Sequence, residues 1–147
     1  MFFGQLSELP KPDILHILLL GTLKHLMEWI VPLLHDLGRL DTFDSAFLHS
    51  PAYLQRPIQR KCYQEVVHWQ GKNMCLMAHI LLACLYVALR RIPAAKREIA
   101  SKTLQATRHL VEFFFYNQYK QHDASTLALM EESLIDFHHC KTVFLQY

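Results

Sequence analysis

The longest apolar run of the chain is the feature that most limits how it can fold. Sixteen residues, from Met74 to Leu89, contain no Asp, Glu, Lys or Arg, and basic residues stand on both sides, at Lys72 and Arg90. A helix needs about 20 apolar residues to span a bilayer, so this run is about one turn too short. The run is therefore predicted to form a central helix, over 72–91, that is buried on all sides within a helical bundle.

Most of the remaining chain shows the helical spacing of apolar residues, and no segment alternates apolar and polar residues as a strand would. Pro32 is expected to kink the first helix or close its last turn, and Gly38 is expected to stop it. Asp41 is a candidate N-cap of the second helix, and 123–125 can cap the last helix. The predicted helices cover 13–34, 41–48, 58–67, 72–91, 93–119 and a last segment that reaches Phe144. The sequence predicts an all-α fold, with one domain over 1–147 and five to six helices.

Composition excludes several classes of protein. Hydrophobic residues make up 52% of the 147 residues and charged residues 19%, a balance too apolar for a disordered chain. The four cysteines form no C-x-x-C pair, and at this density a disulfide framework is not expected. The chain does not open on the basic and apolar pattern of a secretory signal. We therefore expect an intracellular protein in a reducing compartment.

Charge is distributed unevenly along the chain. Residues 50–108 contain ten basic and two acidic side chains, a net charge of +8, whereas 1–49 and 109–147 each carry a net charge of −3. A basic middle between acidic flanks is typical of a surface that faces phosphates. A solvated helix face whose charges pair with acidic neighbours gives the same pattern, and charge alone favours this second interpretation.

Three carboxylate–histidine pairs are spaced three residues apart, which places both members of each pair on one helix face. They are Asp13 with His16, Glu65 with His68, and Asp136 with His139. Such pairs can share a metal ion or hold an imidazole in one tautomer, although solvated histidines show the same spacing. A di-metal helical bundle needs two Glu-x-x-His pairs, and only Glu65 with His68 qualifies. No metal or cofactor site is predicted, and no nucleophile motif is present.

The sequence Trp69-Gln70-Gly71-Lys72 stands directly before the predicted central helix. Glycine permits a tight turn at this point. Trp69 can serve as a packing anchor or as a stacking surface, and packing is the more common use of tryptophan.

The order of several local motifs resembles one family in particular. The first part of the chain contains Pro12-Asp13-Ile14-Leu15-His16, Leu20-Gly21, Lys24-His25-Leu26-Met27-Glu28-Trp29-Ile30 and Arg39-Leu40-Asp41-Thr42-Phe43-Asp44. The middle contains Trp69-Gln70-Gly71-Lys72 and Ala88-Leu89-Arg90, and the end contains Gln118-Tyr119, His122, Met130-Glu131-Glu132, Phe137-His138, Lys141 and Phe144. Over 12–147 this succession resembles the fungal Plavaka transposases, a branch of the CACTA DNA transposons.

The resemblance implies a piece of a cut-and-paste transposase. Such enzymes cut and rejoin DNA with an RNase H-like core, in which three acidic residues hold divalent metal. The family's Asp-x-x-His motif, matched by Asp13 and His16, lies between the second and third acids and next to a helical insertion. By this resemblance the helical body from Leu23 onward corresponds to the insertion. The chain departs from the family pattern at Asn73, because similar sequences often carry glutamate after the glycine and lysine that are Gly71 and Lys72 here. The three acids are expected outside 1–147, so we expect a nuclear protein fragment that is catalytically inactive alone.

The activity implied for such a fragment is weak, non-specific DNA binding through phosphate neutralisation. The residues predicted to contact DNA are Arg56, Arg60, Lys61, Arg90, Arg91, Lys96, Arg97, Lys102 and Arg108. Arg97 and Arg108 are eleven residues apart, close to three helical turns, and are expected to share a face. Two alternatives remain open. One is a helical module that self-associates or binds the other parts of a transposase, and the other is a metal-dependent enzyme built on the carboxylate–histidine pairs. No membrane partner is predicted.

Overall fold

The computed structural model describes residues 20–51, 61–66, 68 and 71–147. Within these residues the chain forms five α-helices, three short 3-10 turns and no strand, which confirms the predicted all-α class. The helices are α1 (Lys24–Asp36), α2 (Leu40–Leu48), α3 (Gly71–Leu89), α4 (Arg97–Asn117) and α5 (Ala124–Cys140). The 3-10 turns are Tyr63–Glu65, Ala94–Lys96 and Lys141–Phe144. No helix among the described residues is both long and apolar enough to cross a bilayer.

The buried side chains form one cluster to which every helix contributes. α3 packs against α2 on one side and α4 on the other, and α5 packs along α4. α1 contacts α2 and the turn Lys141–Phe144, so the ends of the described chain meet. The largest fully buried side chains are Leu26, Met27, Ile30, Leu33, Leu34, Phe43, Phe47, Met74, Met77, Leu81, Leu85 and Thr103. Burial of these side chains at helical spacing is the main stabilising contribution that the sequence makes to the fold.

The central helix α3 is buried on one face only, which corrects the prediction that it is buried on all sides. Met77, Leu81 and Leu85 are fully buried, whereas Tyr86 is 57% exposed and Val87 37% exposed. Because α2 and α4 flank α3, the face of α3 between them remains open to solvent. An uncharged run therefore does not identify a fully buried helix, since apolar side chains also occupy protein surfaces.

The first helix does not end at its proline. α1 continues through Pro32 to Asp36, whereas the sequence predicted a kink or a last turn at this position. Pro32 lies on the exposed side, and Leu33 and Leu34 beyond it are fully buried, so their packing extends the helix despite the missing backbone donor. Gly38 ends the segment as predicted, with a positive φ of 63° that favours glycine. The part of the predicted helix over 13–19 lies outside the described residues.

Several other boundaries differ from the prediction. α2 begins at Leu40 with Arg39 as its N-cap, so Asp41 lies in the first turn and does not cap the helix. The expected helix over 58–67 is represented in the described residues by the short turn Tyr63–Glu65. The segment after Pro93 forms the turn Ala94–Lys96 before α4 begins, and α5 ends at Cys140, before Phe144. Apart from the segment 58–67, these differences lie at helix ends, where local sequence signals are weakest.

α4 packs along α5, and the two helices together bury several small residues. Ala100, Thr103, Ala106 and Thr107 of α4 and Ser133 of α5 are buried. The hydroxyls of Thr103 and Thr107 donate to the carbonyl oxygens of Ile99 and Thr103, each at 2.8 Å, and Ser133 makes the same type of bond. These local bonds satisfy the buried hydroxyls.

Candidate nucleic-acid interface

Five basic residues lie in or beside two connections, that between α1 and α2 and that between α3 and α4, and hydrogen bonds link the two connections. We call this group the basic junction, and it consists of Arg39, Arg90, Arg91, Lys96 and Arg97. Arg39 is half-buried and the other four side chains are exposed. Four of the five were predicted from the sequence to contact DNA.

The local fold of the α3–α4 connection directs its basic side chains toward solvent. Arg90 continues the helical turn, because its N–H donates to the carbonyl oxygen of Tyr86 at 2.9 Å. Ile92 then enters the core with 6% exposure and anchors the connection. Pro93 accepts a 2.9 Å hydrogen bond from the Lys96 N–H and starts the turn that leads into α4. Ile92 points inward, whereas the basic residues before and after it in the connection remain exposed.

Two long-range hydrogen bonds hold the two connections together. Arg39 Nη2 donates to the carbonyl oxygen of Arg91 at 2.8 Å, across 52 residues of sequence. Lys96 Nζ donates to the carbonyl oxygen of Asp36 at 3.5 Å, across 60 residues. The left-handed conformation of Gly38 turns the chain between Asp36 and Arg39, which allows both bonds to form. The basic junction is therefore a tertiary feature with partly fixed geometry.

The charges of the basic junction are not neutralised by ion pairs within the described residues. Asp36 contributes its backbone carbonyl to Lys96, while its carboxylate lies 3.8 Å from Nδ1 of His35. Five like charges grouped in this way create a positive potential that attracts anions. Arginine is well suited to such a site, because its planar guanidinium can bind a phosphate through two parallel hydrogen bonds.

Two other predicted contact residues are already paired along α4. Lys102 Nζ lies 2.8 Å from Glu98, and the hydrogen bond raises the pKa of Lys102 and lowers the pKa of Glu98. Arg108 Nε lies 2.7 Å from Glu112, which raises the pKa of the Arg108 guanidinium. Arg97 and Arg108 therefore do not act as equivalent cations, although the spacing placed them on one face. These pairs match the interpretation of a solvated helix face, whereas the basic junction does not.

The other predicted site residues are placed as follows. Lys61 is exposed at the start of the second described segment, while Arg56 and Arg60 lie outside the described residues. Of the family-motif residues, Gly71 and Lys72 form the start of α3, so the turn expected at Gly71 is replaced by helix. Asp13, His16 and Trp69 lie outside the described residues.

In the described part of the chain, the carboxylates of the carboxylate–histidine pairs contact other partners than the histidine three residues away. Glu65 accepts a 3.1 Å hydrogen bond from the Cys62 N–H and thereby closes the turn Tyr63–Glu65. Asp136 faces His109 on the neighbouring helix, with 3.9 Å between Oδ2 and Nδ1, and Glu112 lies 3.6 Å from the same nitrogen. Within the described segments no three His, Cys, Asp or Glu side chains are placed to hold a metal ion. Asp13 and His16, also required by the metal-enzyme alternative, are not among them.

The exposed face of α3 is bordered by two grooves. The groove between α3 and α4 has a volume of about 640 Å³ and mixed chemistry. It is lined by His79, Leu82, Tyr86, Ser101, Gln105 and Arg108, among others. The groove between α2 and α3 has a volume of about 470 Å³ and is mainly apolar. Its lining includes Ala46, His49, Pro51, Ile80, Ala83 and Val87.

Arg39 is the member of the basic junction that sequence reasoning missed. The segment 1–49 carries a net negative charge, so Arg39 does not stand in the basic part of the chain. Its position directly after Gly38, the predicted helix stop, indicates a connection but not which other connection it meets. By contrast, the pairing of Lys102 and Arg108 was open to prediction, because each has a glutamate four residues away.

Comparisons with known proteins identify no relative of this chain. No family model matches it, and neither the curated proteins nor the solved structures contain a significant match. The functional interpretation therefore depends on the residues and on their geometry.

Proposed function

We propose that this chain is a helical module that binds the phosphate backbone of DNA through the basic junction. The observation that supports the proposal is the grouping of five basic side chains without acidic partners among the described residues. Binding of this kind releases counterions from the DNA, so it weakens steeply as salt increases. It places the protein on DNA without selecting a base sequence.

We further propose that the module derives from the helical insertion of a Plavaka-like transposase. The support is the ordered set of sequence motifs over 12–147, together with an all-helical body where the resemblance expects an insertion. The proposal includes no cleavage of DNA, because the acids that hold divalent metal in that family are not among the matched motifs. A nuclear location follows from the same resemblance and belongs to the proposal.

A triple substitution tests the role of the basic junction. Arg90→Ala, Arg91→Ala and Arg97→Ala together remove exposed charges that make no ion pair within the described residues. We expect this variant to lose most of its affinity for a fluorescently labelled duplex. The slope of log affinity against log salt should fall by about 3 if each arginine neutralises one phosphate. Fluorescence anisotropy across a salt series measures both quantities.

The matched control is the double substitution Lys102→Ala and Arg108→Ala, which removes charges from the same helix that are already paired with glutamates. This control should keep most of the affinity and the salt slope. Circular dichroism confirms that all variants remain folded. Equal losses in the two variants would contradict the proposal, since they would show that only net charge matters. No binding by the unchanged chain at low salt would also contradict it.

The exposed apolar side chains favour a second candidate function, a protein–protein module. Tyr86 and Val87 on α3 and Leu127 and Ile135 on α5 are between 37% and 57% exposed. Apolar surface of this kind is typical of interaction sites when it is contiguous. Sedimentation velocity over a wide concentration range tests self-association, and a strict monomer would argue against it.

A further inference from the structure

We propose that the groove between α3 and α4 receives an unpaired nucleobase, so that the chain prefers single-stranded DNA to duplex. This inference rests on the proposed function, because the basic junction holds the phosphates while the groove receives the base. It adds a substrate class that phosphate neutralisation alone does not select.

The groove leads directly into the basic junction. Arg90 lies one helical turn beyond Tyr86, and the hydrogen bond from the Arg90 N–H to the Tyr86 carbonyl oxygen, at 2.9 Å, fixes this relation. On the other side of the groove, Arg97 lies one turn before Ser101 on α4. Both arginines thus stand at the end of the groove nearest the α3–α4 connection, so a strand whose phosphates contact them can place its next base in the groove.

The side chains of the groove match the chemistry of a base. Tyr86, which lines the groove, is 57% exposed and offers an aromatic ring for stacking. Ser101 and Gln105 line the groove, and each can donate or accept hydrogen bonds. The groove is open to solvent and has a volume of about 640 Å³, which is enough for one base to lie in it.

Duplex DNA cannot use this groove in the same way. The faces of paired bases are covered by their neighbours in the stack, so Tyr86 cannot reach them unless a base is extruded. A duplex is therefore limited to phosphate contacts at the basic junction. The neighbouring groove between α2 and α3 has mainly apolar walls, which makes it less suited to a polar base.

Substitution of the tyrosine tests the inference. We expect Tyr86→Ala to lower the affinity for a ten-residue oligothymidylate roughly five- to 150-fold, the range that stacking on an aromatic ring confers. Affinity for a duplex of equal charge should not change. Tyr86→Phe should retain binding, because the ring remains. Anisotropy gives the affinities, and quenching of 2-aminopurine placed in the strand reports stacking directly.

The matched control is Val87→Ala, which changes the adjacent exposed residue of α3 on the side of the other groove. It should bind both DNAs as the unchanged chain does. The inference would be overturned if the chain bound single-stranded and duplex DNA equally well and Tyr86→Ala changed neither affinity. The proposed function would remain intact in that case. Absence of binding to either DNA would instead refute the proposed function.

Two further outcomes would also overturn the inference. Equal losses for both DNAs in Tyr86→Ala would show that the ring supports the fold or a phosphate contact. If polyglutamate of matched length and charge competes as strongly as unlabelled oligothymidylate, the chain does not distinguish a nucleic acid from another polyanion, and the groove does not select a base. The nucleobase site would be supported if oligothymidylate competed more strongly than polyglutamate and if Tyr86→Ala removed this difference between the two competitors.

Discussion

Asp44 is the buried residue that connects distant parts of the chain most directly. Its side chain is 7% exposed on α2, and its carboxylate accepts a 2.9 Å hydrogen bond from the Tyr63 N–H. The side-chain amide of Gln64 donates to the second carboxylate oxygen. Partial burial, together with the nearby carboxylates of Glu28 and Asp44, raises the pKa of the neighbouring Tyr63 phenol to about 12. Asp44 thus fixes the turn Tyr63–Glu65 against α2.

We expect Asp44→Ala to lower the free energy of unfolding by about 1–3 kcal/mol, because it leaves two donors without their acceptor. Asp44→Asn should cost less, since one side-chain oxygen can still accept from the Tyr63 N–H. Asp41→Ala is the control, because Asp41 is exposed in the same helix. Urea denaturation followed by circular dichroism measures all three variants. A cost for Asp44→Ala no larger than that for Asp41→Ala would contradict this role.

Single residues differ in how well the sequence predicts their partners. Lys102 and Arg108 pair with glutamates four residues away, a relation visible in the sequence once a helix is assumed. Arg39 and Asp44 find their partners 52 and 19 residues away, and only packing brings these groups together. This is why the predicted DNA-contact set included two paired cations and omitted Arg39.

At the scale of the element, helical periodicity predicted the helices well and their surroundings less well. The spacing of apolar residues in α1 and α4 follows from burial of one face, and burial is what the periodicity measures. α3 has apolar residues all round, so its pattern does not reveal which face is covered. Pro32 was expected to kink α1 or close its last turn, and α1 continues four residues beyond it, where the buried Leu33 and Leu34 offset the local cost of the proline.

The cap of α5 is an element-scale feature that the sequence predicted correctly. The Asp123 carboxylate accepts hydrogen bonds from the N–H of Thr126 at 2.7 Å, from the Thr126 hydroxyl and from the Ser125 hydroxyl, each hydroxyl at 2.8 Å. These bonds, led by that from the Thr126 N–H, lower the pKa of Asp123 from 3.8 to about 2. Because the folded pKa lies below the ordinary value, the stabilisation is complete above about pH 4 and is lost as pH falls through about 2.

We therefore expect Asp123→Ala to melt at a lower temperature than the unchanged chain at pH 7. The difference between the two should shrink as pH falls toward 2, where the cap is protonated in the unchanged chain. Thermal melts followed by circular dichroism at several pH values test this. A difference that stays constant down to pH 2 would show that the charge of Asp123 plays no part.

At the scale of the whole molecule, a single aromatic contact joins the first described helix to the last turn. The rings of Trp29 and Phe144 stack with 5.8 Å between centroids and an interplanar angle of 29°. Phe144 is 5% exposed, so its side chain belongs to the core although it lies three residues from Tyr147. The sequence placed Phe144 in a continuous last helix, but the turn Lys141–Phe144 brings it onto α1 instead.

Phe144→Ala should lower the free energy of unfolding by about 3–5 kcal/mol, the usual cost of removing a buried phenylalanine. Leu145→Ala should have little effect, because Leu145 is 86% exposed. Denaturant unfolding of the two variants provides the comparison. Similar midpoints for both would show that the contact between α1 and the last turn does not stabilise the fold.

The global arrangement was predictable only in class. An apolar content of 52%, helical spacing and the absence of strand patterns were enough for an all-α domain. The order in which helices pack depends on the fit of buried side chains from different helices, which no local pattern reveals. The grooves beside α3 follow from that packing, so neither was visible in the sequence.

The hydrogen bond from Arg39 to the Arg91 carbonyl has a thermodynamic consequence. Because it joins segments separated by 52 residues, the full set of five cations exists only in the folded chain. A polyanion that contacts all five must therefore shift the equilibrium between folded and unfolded chains toward the folded form, by linkage. Crowding five positive charges also costs energy in the free protein, and a bound phosphate chain relieves this repulsion. Within the proposed function, DNA would act as a folding cofactor of the module as well as its target.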